Sequence, residues 1–165
     1  YITCTGGIYR RMMQAGKWSI WQGGYENVKK LWSGTLSKGG SVRFKPHGVS
    51  MLPFIRQESD EVTLVSPSGR LKRGDIAFYR RDNGQFVLHR VIKVLPSGYI
   101  MRGDHQIERE YGITDKNIIA VTKEVVRSGK VIRSNSLSFF LWGNLGPFLY
   151  RTFNLLYRIK KRLFK

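Results

Sequence analysis

The stretch "GVSMLPFI", residues 48–55, places a serine between a glycine-led turn and Met51-Leu52-Pro53. The segment is otherwise suited to a buried strand, so the Ser50 hydroxyl is either satisfied structurally or presented for chemistry. Gly48 permits a tight backbone turn just ahead of it, and Pro53 fixes the chain three residues on. A serine hydroxyl is a poor nucleophile until a neighbouring base takes its proton, so the reading depends on what else the chain supplies.

Outward from Ser50 the chain reads as β structure. "SVRF" (41–44) alternates and "DEVTLV" (60–65) is rich in strand formers. "DIAFYRR" (75–81) and "FVLHRVIKV" (86–94) flank Asp82-Asn83-Gly84, a hairpin signal. "GYIMRGD" (98–104) and "NIIAVTKEVVRSGKVI" (117–132) continue the series, with a turn at Ser128-Gly129. The expected fold class is mainly β, a domain of many short strands over residues 41–134. Ahead of it, residues 1–40 form an extension in which Tyr25, Val28, Leu31, Trp32 and Leu36 recur at helical spacing. That predicts a helix over 25–38, stopped by Gly39-Gly40.

A chain of 165 residues is long enough for one domain with a sizeable core. The single cysteine, Cys4, rules out an internal disulfide and leaves no metal quartet of the usual kind, so neither a metal nor another cofactor is expected. Against 29 Lys and Arg stand 11 Asp and Glu, a formal net charge of +18. Such a surface favours an anionic partner, either nucleic acid or anionic lipid.

With no paired carboxylates, no Cys/His cluster and no phosphate-binding glycine loop, the chemistry narrows to serine plus a base. The histidines are His47, His89 and His105. In "VLHRV", period-2 alternation puts Val87, His89 and Val91 on one face of a strand, with Leu88 and Arg90 on the other. An imidazole held on that row can activate a serine brought beside it.

Taken together, "GVSMLPFI", "LKRGDIAFYRR", "FVLHRVIKV" and "MRGDHQIERE" resemble, in sequence, order and spacing, the boxes of the type I signal peptidase family. Its wider clan includes the self-cleaving phage and SOS repressors, and the resemblance covers residues 41–126. It implies a coiled β-sheet fold and a serine endopeptidase that cleaves extended peptides, as in signal-peptide processing. The Ser-Met-x-Pro box makes Ser50 the nucleophile. The base position carries His89, as in the archaeal and endoplasmic-reticulum branch, where the bacterial branch has lysine. The Gly-Asp of the last box falls on Gly103-Asp104, making Asp104 the candidate carboxylate behind the histidine.

By the same resemblance, Gly48, Ser50, Met51 and Pro53 form the oxyanion and substrate-binding strip. Many bacterial members carry a second serine where this chain has Gly48, so the oxyanion hole here relies on backbone N–H groups. The last box departs from the family's further aspartates, and either Glu108 or Glu110 stands in for them.

Residues 135–165 carry six basic side chains and no acidic one. The apolar stretch 137–150, broken by Gly143, Gly146 and Pro147, falls short of the ~20 residues needed to span a bilayer. The basic amphipathic segment that follows reads as a peripheral anchor on an anionic membrane surface. The first 30 residues show no signal-peptide pattern, and the family's N-terminal anchor is not seen in them. The expected location is membrane-associated or cytoplasmic, in a prokaryote. Two other classes compete: a non-catalytic basic β module binding nucleic acid, and a self-cleaving repressor-like protein. The second needs a helix-turn-helix, for which residues 1–40 offer only one clear helix.

Overall fold

The computed structural model describes residues 34–142 together with Leu145 and Thr152. The described chain is mainly β. Eight strands form one antiparallel sheet: β1 (Ser41–Phe44), β2 (Asp60–Val65), β3 (Ile76–Arg80), β4 (Phe86–Leu95), β5 (Gly98–Arg102), β6 (Glu110–Ile113), β7 (Ile118–Arg127) and β8 (Lys130–Arg133). Their order is β1-β2-β7-β3-β4-β5-β6, with β8 also paired to β7. β7 is the spine. One of its edges pairs β2, while the other pairs β3 at Val121 and β8 at Glu124.

The turns follow their residue types. Ser128 (φ 46°) and Gly129 (φ 78°) make the two-residue link between Arg127 and Lys130, a left-handed pair matching the twist of the flanking strands. Asn83 caps the β3–β4 hairpin by accepting the Gln85 N–H at 3.0 Å. Of the helix expected over 25–38, residues 34–37 are helical, and the N–H of Gly39 and Gly40 closes on Leu36 and Thr35. The remainder of that helix lies outside the described residues, as do most of 143–165. Residues 137–142 are helical, as are Leu145 and Thr152. β6 is a strand that the sequence reading did not include, being short and interrupted by Gly112.

Both faces of the sheet are covered, and the alternation along β3 and β4 decides which residue goes where. Ile76, Phe78 and Leu88 join Val42, Phe44, Met51, Phe54, Ile55, Val62 and Leu64 in one core. Ala77, Tyr79 and Val91 join Tyr99, Met101 and Ile113 in the other. His89 pairs with Ala77 across the ladder and so shares the second face, as its alternation predicts. The sheet also curls strongly. Tyr79 on β3 and Glu110 on β6 are three strands apart, which in a flat sheet means about 14 Å. Their side chains nevertheless meet at 2.7 Å.

Candidate active site

Residues 48–55 are two successive turns, not a strand. The Leu52 N–H closes on the Val49 carbonyl at 3.1 Å, and the Ile55 N–H closes on Met51 at 2.8 Å. Gly48 adopts φ 105°, which favours glycine, and Pro53 has no N–H to give a ladder. Met51, Phe54 and Ile55 anchor the turns in the first core, while Ser50 is half-buried and Val49 exposed. The hydroxyl is thus carried on a bend pinned from below. Among the described residues, the N–H groups of Ser50 and Met51 have no acceptor, whereas that of Leu52 is engaged.

The segment after β5 docks on this bend. The His105 N–H donates to the Ser50 carbonyl at 2.9 Å. A Cβ on Gly103 would lie 2.5 Å from the same oxygen, so only glycine lets the two backbones approach. His89 and Gly103 are each one residue beyond the last ladder pair, Arg90–Arg102, at the same end of β4 and β5. The Ser50 carbonyl thus packs on Gly103, the residue in register with His89. No hydrogen bond joins the Ser50 hydroxyl to His89 directly.

His89 is buried, and its surroundings differ from the sequence expectation. Nδ1 lies 3.1 Å from the Tyr79 hydroxyl and 3.7 Å from Oε2 of Glu110. Tyr79 is the diagonal neighbour of His89 across the β3–β4 ladder, within reach for a long side chain. Glu110 accepts from Tyr79 at 2.7 Å and from a two-pronged Arg81, Nε to Oε1 and Nη2 to Oε2, both at 2.6 Å. Burial opposes ionisation of Glu110. Contacts from His89, Arg81 and Tyr79, with the Arg81 charge, outweigh it and bring the carboxyl down to about 2. Burial and the neighbouring Glu110 push the Tyr79 phenol well above its usual range, so it keeps its proton.

Asp104 corrects the expectation that it stands behind His89. Both its oxygens are taken by Arg90, at 2.8 Å from Nε and 2.7 Å from Nη2. The reason is the same alternation that aims His89: its neighbour Arg90 projects to the opposite face, and Asp104 meets it there. Of the two glutamates left open, Glu108 is exposed and Glu110 faces the imidazole. Tyr79 and Arg81 were missed, although "FYRR" beside a histidine hairpin was the available signal. His47 sits exposed, 3.6 Å from Glu58.

Comparison of the chain with known proteins finds no matching family model, curated protein or solved structure.

Proposed function

We propose that this chain is a serine endopeptidase of the signal-peptidase type, with Ser50 as nucleophile and His89 as base. The observation that carries the reading is the meeting of two separately built parts. The Ser50 bend is fastened to Gly103 and His105, at the end of the sheet where His89 is held against Tyr79 and Glu110. A buried, oriented imidazole, and a serine on a tight bend whose N–H groups are unengaged among the described residues, are the parts that acyl transfer needs.

In this mechanism Ser50 Oγ attacks a peptide carbonyl while its proton passes to His89. The N–H groups of Ser50 and Met51 receive the developing oxyanion, and Glu110 stabilises the imidazolium electrostatically. His89 returns the proton to the leaving amine as the C–N bond breaks. Water, deprotonated by His89, then attacks the acyl-serine, and His89 returns that proton to Ser50 Oγ as the ester C–O bond breaks. The substrate is an extended peptide added as a strand, with small side chains flanking the scissile bond. The curled sheet is read as the signal-peptidase-like fold. Incubation with a pool of extended peptides tests this: cleavage is expected from the wild-type chain and not from Ser50→Ala or His89→Ala. Equal cleavage by all three would refute the assignment.

We also propose that the chain works peripherally on an anionic membrane. Among the described residues no helix is long and apolar enough to cross a bilayer. In helix 137–142, Phe139 and Trp142 face inward on Phe54, with ring centroids 5.3 and 6.0 Å away. Leu137 and Leu141 are exposed, as is Leu145 beyond them, and the basic residues of 151–165 follow. Apolar groups beside cations fit the headgroup plane.

A further inference from the structure

A phenol carries one proton, and the Tyr79 hydroxyl has two neighbours competing for it, Nδ1 of His89 at 3.1 Å and Oε2 of Glu110 at 2.7 Å. Glu110 is ionised at neutral pH and can only accept. The proton of Tyr79 therefore points to Glu110, and its oxygen turns a lone pair towards His89. Nδ1 must then supply the hydrogen of that contact, which leaves Nε2 of the neutral ring bare. At 3.7 Å, Glu110 is too far to hold Nδ1 directly, so the hydroxyl bridges the gap.

We infer that Tyr79 is a positioning residue: it transmits the acceptor character of Glu110 to His89, fixing the Nδ1–H tautomer and leaving Nε2 to take the serine proton. This rests on the reading of Ser50 and His89 as nucleophile and base, but the tautomer itself can be observed without any turnover. The relay is rigid by construction. Tyr79 is fully buried on β3, and the Arg81 fork fixes both oxygens of Glu110. In the other nearby ion pair both Asp104 oxygens are engaged by Arg90, which projects to the opposite face of β4 from His89.

The relay has an unusual consequence for substitutions. In Glu110→Gln the amide NH2 can donate to the phenol oxygen, freeing the Tyr79 proton to turn towards Nδ1. The His89 tautomer should then reverse, placing hydrogen on Nε2 and blocking the base. In Tyr79→Phe nothing fixes either tautomer, and both should be populated.

The test is nitrogen-15 NMR of histidine-labelled full-length chain, with the His89 signals assigned by their loss in His89→Asn. It is run beside the rate at which a fluorophosphonate labels Ser50. In the wild type, Nδ1 is expected protonated and Nε2 bare. Tyr79→Phe should mix the tautomers and slow labelling about tenfold, the equivalent of one buried hydrogen bond. Glu110→Gln should reverse the tautomer and slow labelling at least about a hundredfold. A wild-type ring protonated at Nε2, or a tautomer unchanged in both variants, overturns the relay. A wild-type chain with the expected tautomer whose Ser50 never reacts overturns the peptidase reading and leaves the relay standing.

Discussion

Arg90 and Asp104 face one another inside the protein, joined by two hydrogen bonds of 2.8 and 2.7 Å, with both side chains buried. Arg90 also donates to the Gly74 carbonyl at 2.9 Å, and its guanidinium lies 4.9 Å from the Phe54 ring and 5.3 Å from Phe139. One cation thus braces the segment carrying Gly103 and His105, the turn carrying Ser50, and the helix at 137–142. Asp104 contributes to the site through this brace rather than through the imidazole.

Removing one partner of such a pair leaves a buried charge uncompensated. Asp104→Ala is expected to cost about 3–5 kcal/mol in urea unfolding. The His89 tautomer in the folded fraction should stay as it is in the wild type. A cost below about 1 kcal/mol would contradict the bracing role.

Gly103→Ala tests the close approach more narrowly. Its Cβ would sit 2.5 Å from the Ser50 carbonyl and 2.8 Å from Oε1 of Gln106, so the serine bend must move. A shift of about 1 Å in a reacting group can lower a rate by about a hundredfold, and that loss is expected in Ser50 labelling. Labelling at the wild-type rate would mean the contact does not position the hydroxyl.

Acid should weaken the fold in part through Glu110. The Glu110 carboxyl lies at about 2 in the folded chain against an ordinary value of 4.5. A lowered folded value contributes stability that is present above about pH 4.5 and is lost as pH falls towards 2. Asp60 shifts in the same direction: burial opposes ionisation, but its hydrogen bonds with Arg127 and the Arg56 N–H prevail. Unfolding free energy followed from pH 6 to pH 2 should therefore fall, and fall less steeply in Glu110→Gln. Parallel curves for the two proteins would contradict the coupling.

How much of this was legible beforehand depended on the range of the signal. The two-residue period of "VLHRV" is local, and it placed His89 and Arg90 on opposite faces as found. The same period carries no register, so it could not show that Tyr79 lies diagonal to His89 or that β6 curls back to set Glu110 beside both. "GVSMLPFI" looked strand-like because Met51, Phe54 and Ile55 are core residues, yet they reach the core from turns. Asp104 was assigned by its place beside Gly103, and side-chain direction sent it to Arg90 instead. β6 was invisible because Glu110, Tyr111 and Gly112 carry little strand preference as a group.

Vesicle flotation examines the peripheral reading. Full-length chain should float with anionic vesicles and not with neutral ones, and added salt should weaken the association, since each Lys or Arg near the surface contributes about 1 kcal/mol. Leu137→Ser combined with Leu141→Ser should reduce recovery while leaving Phe139 and Trp142 on Phe54. Undiminished flotation of that variant would show that these exposed leucines do not enter the bilayer.

The central claim is that Ser50 is a nucleophile activated by His89, and covalent labelling reads it most directly. The full-length chain is treated with a fluorophosphonate at neutral pH, and the adduct is counted by intact mass and located by peptide mapping. The account predicts one adduct, on Ser50, absent in Ser50→Ala and formed at least about a hundredfold more slowly in His89→Ala. An unmodified wild-type chain, an adduct on another residue, or labelling of His89→Ala at the wild-type rate would contradict it.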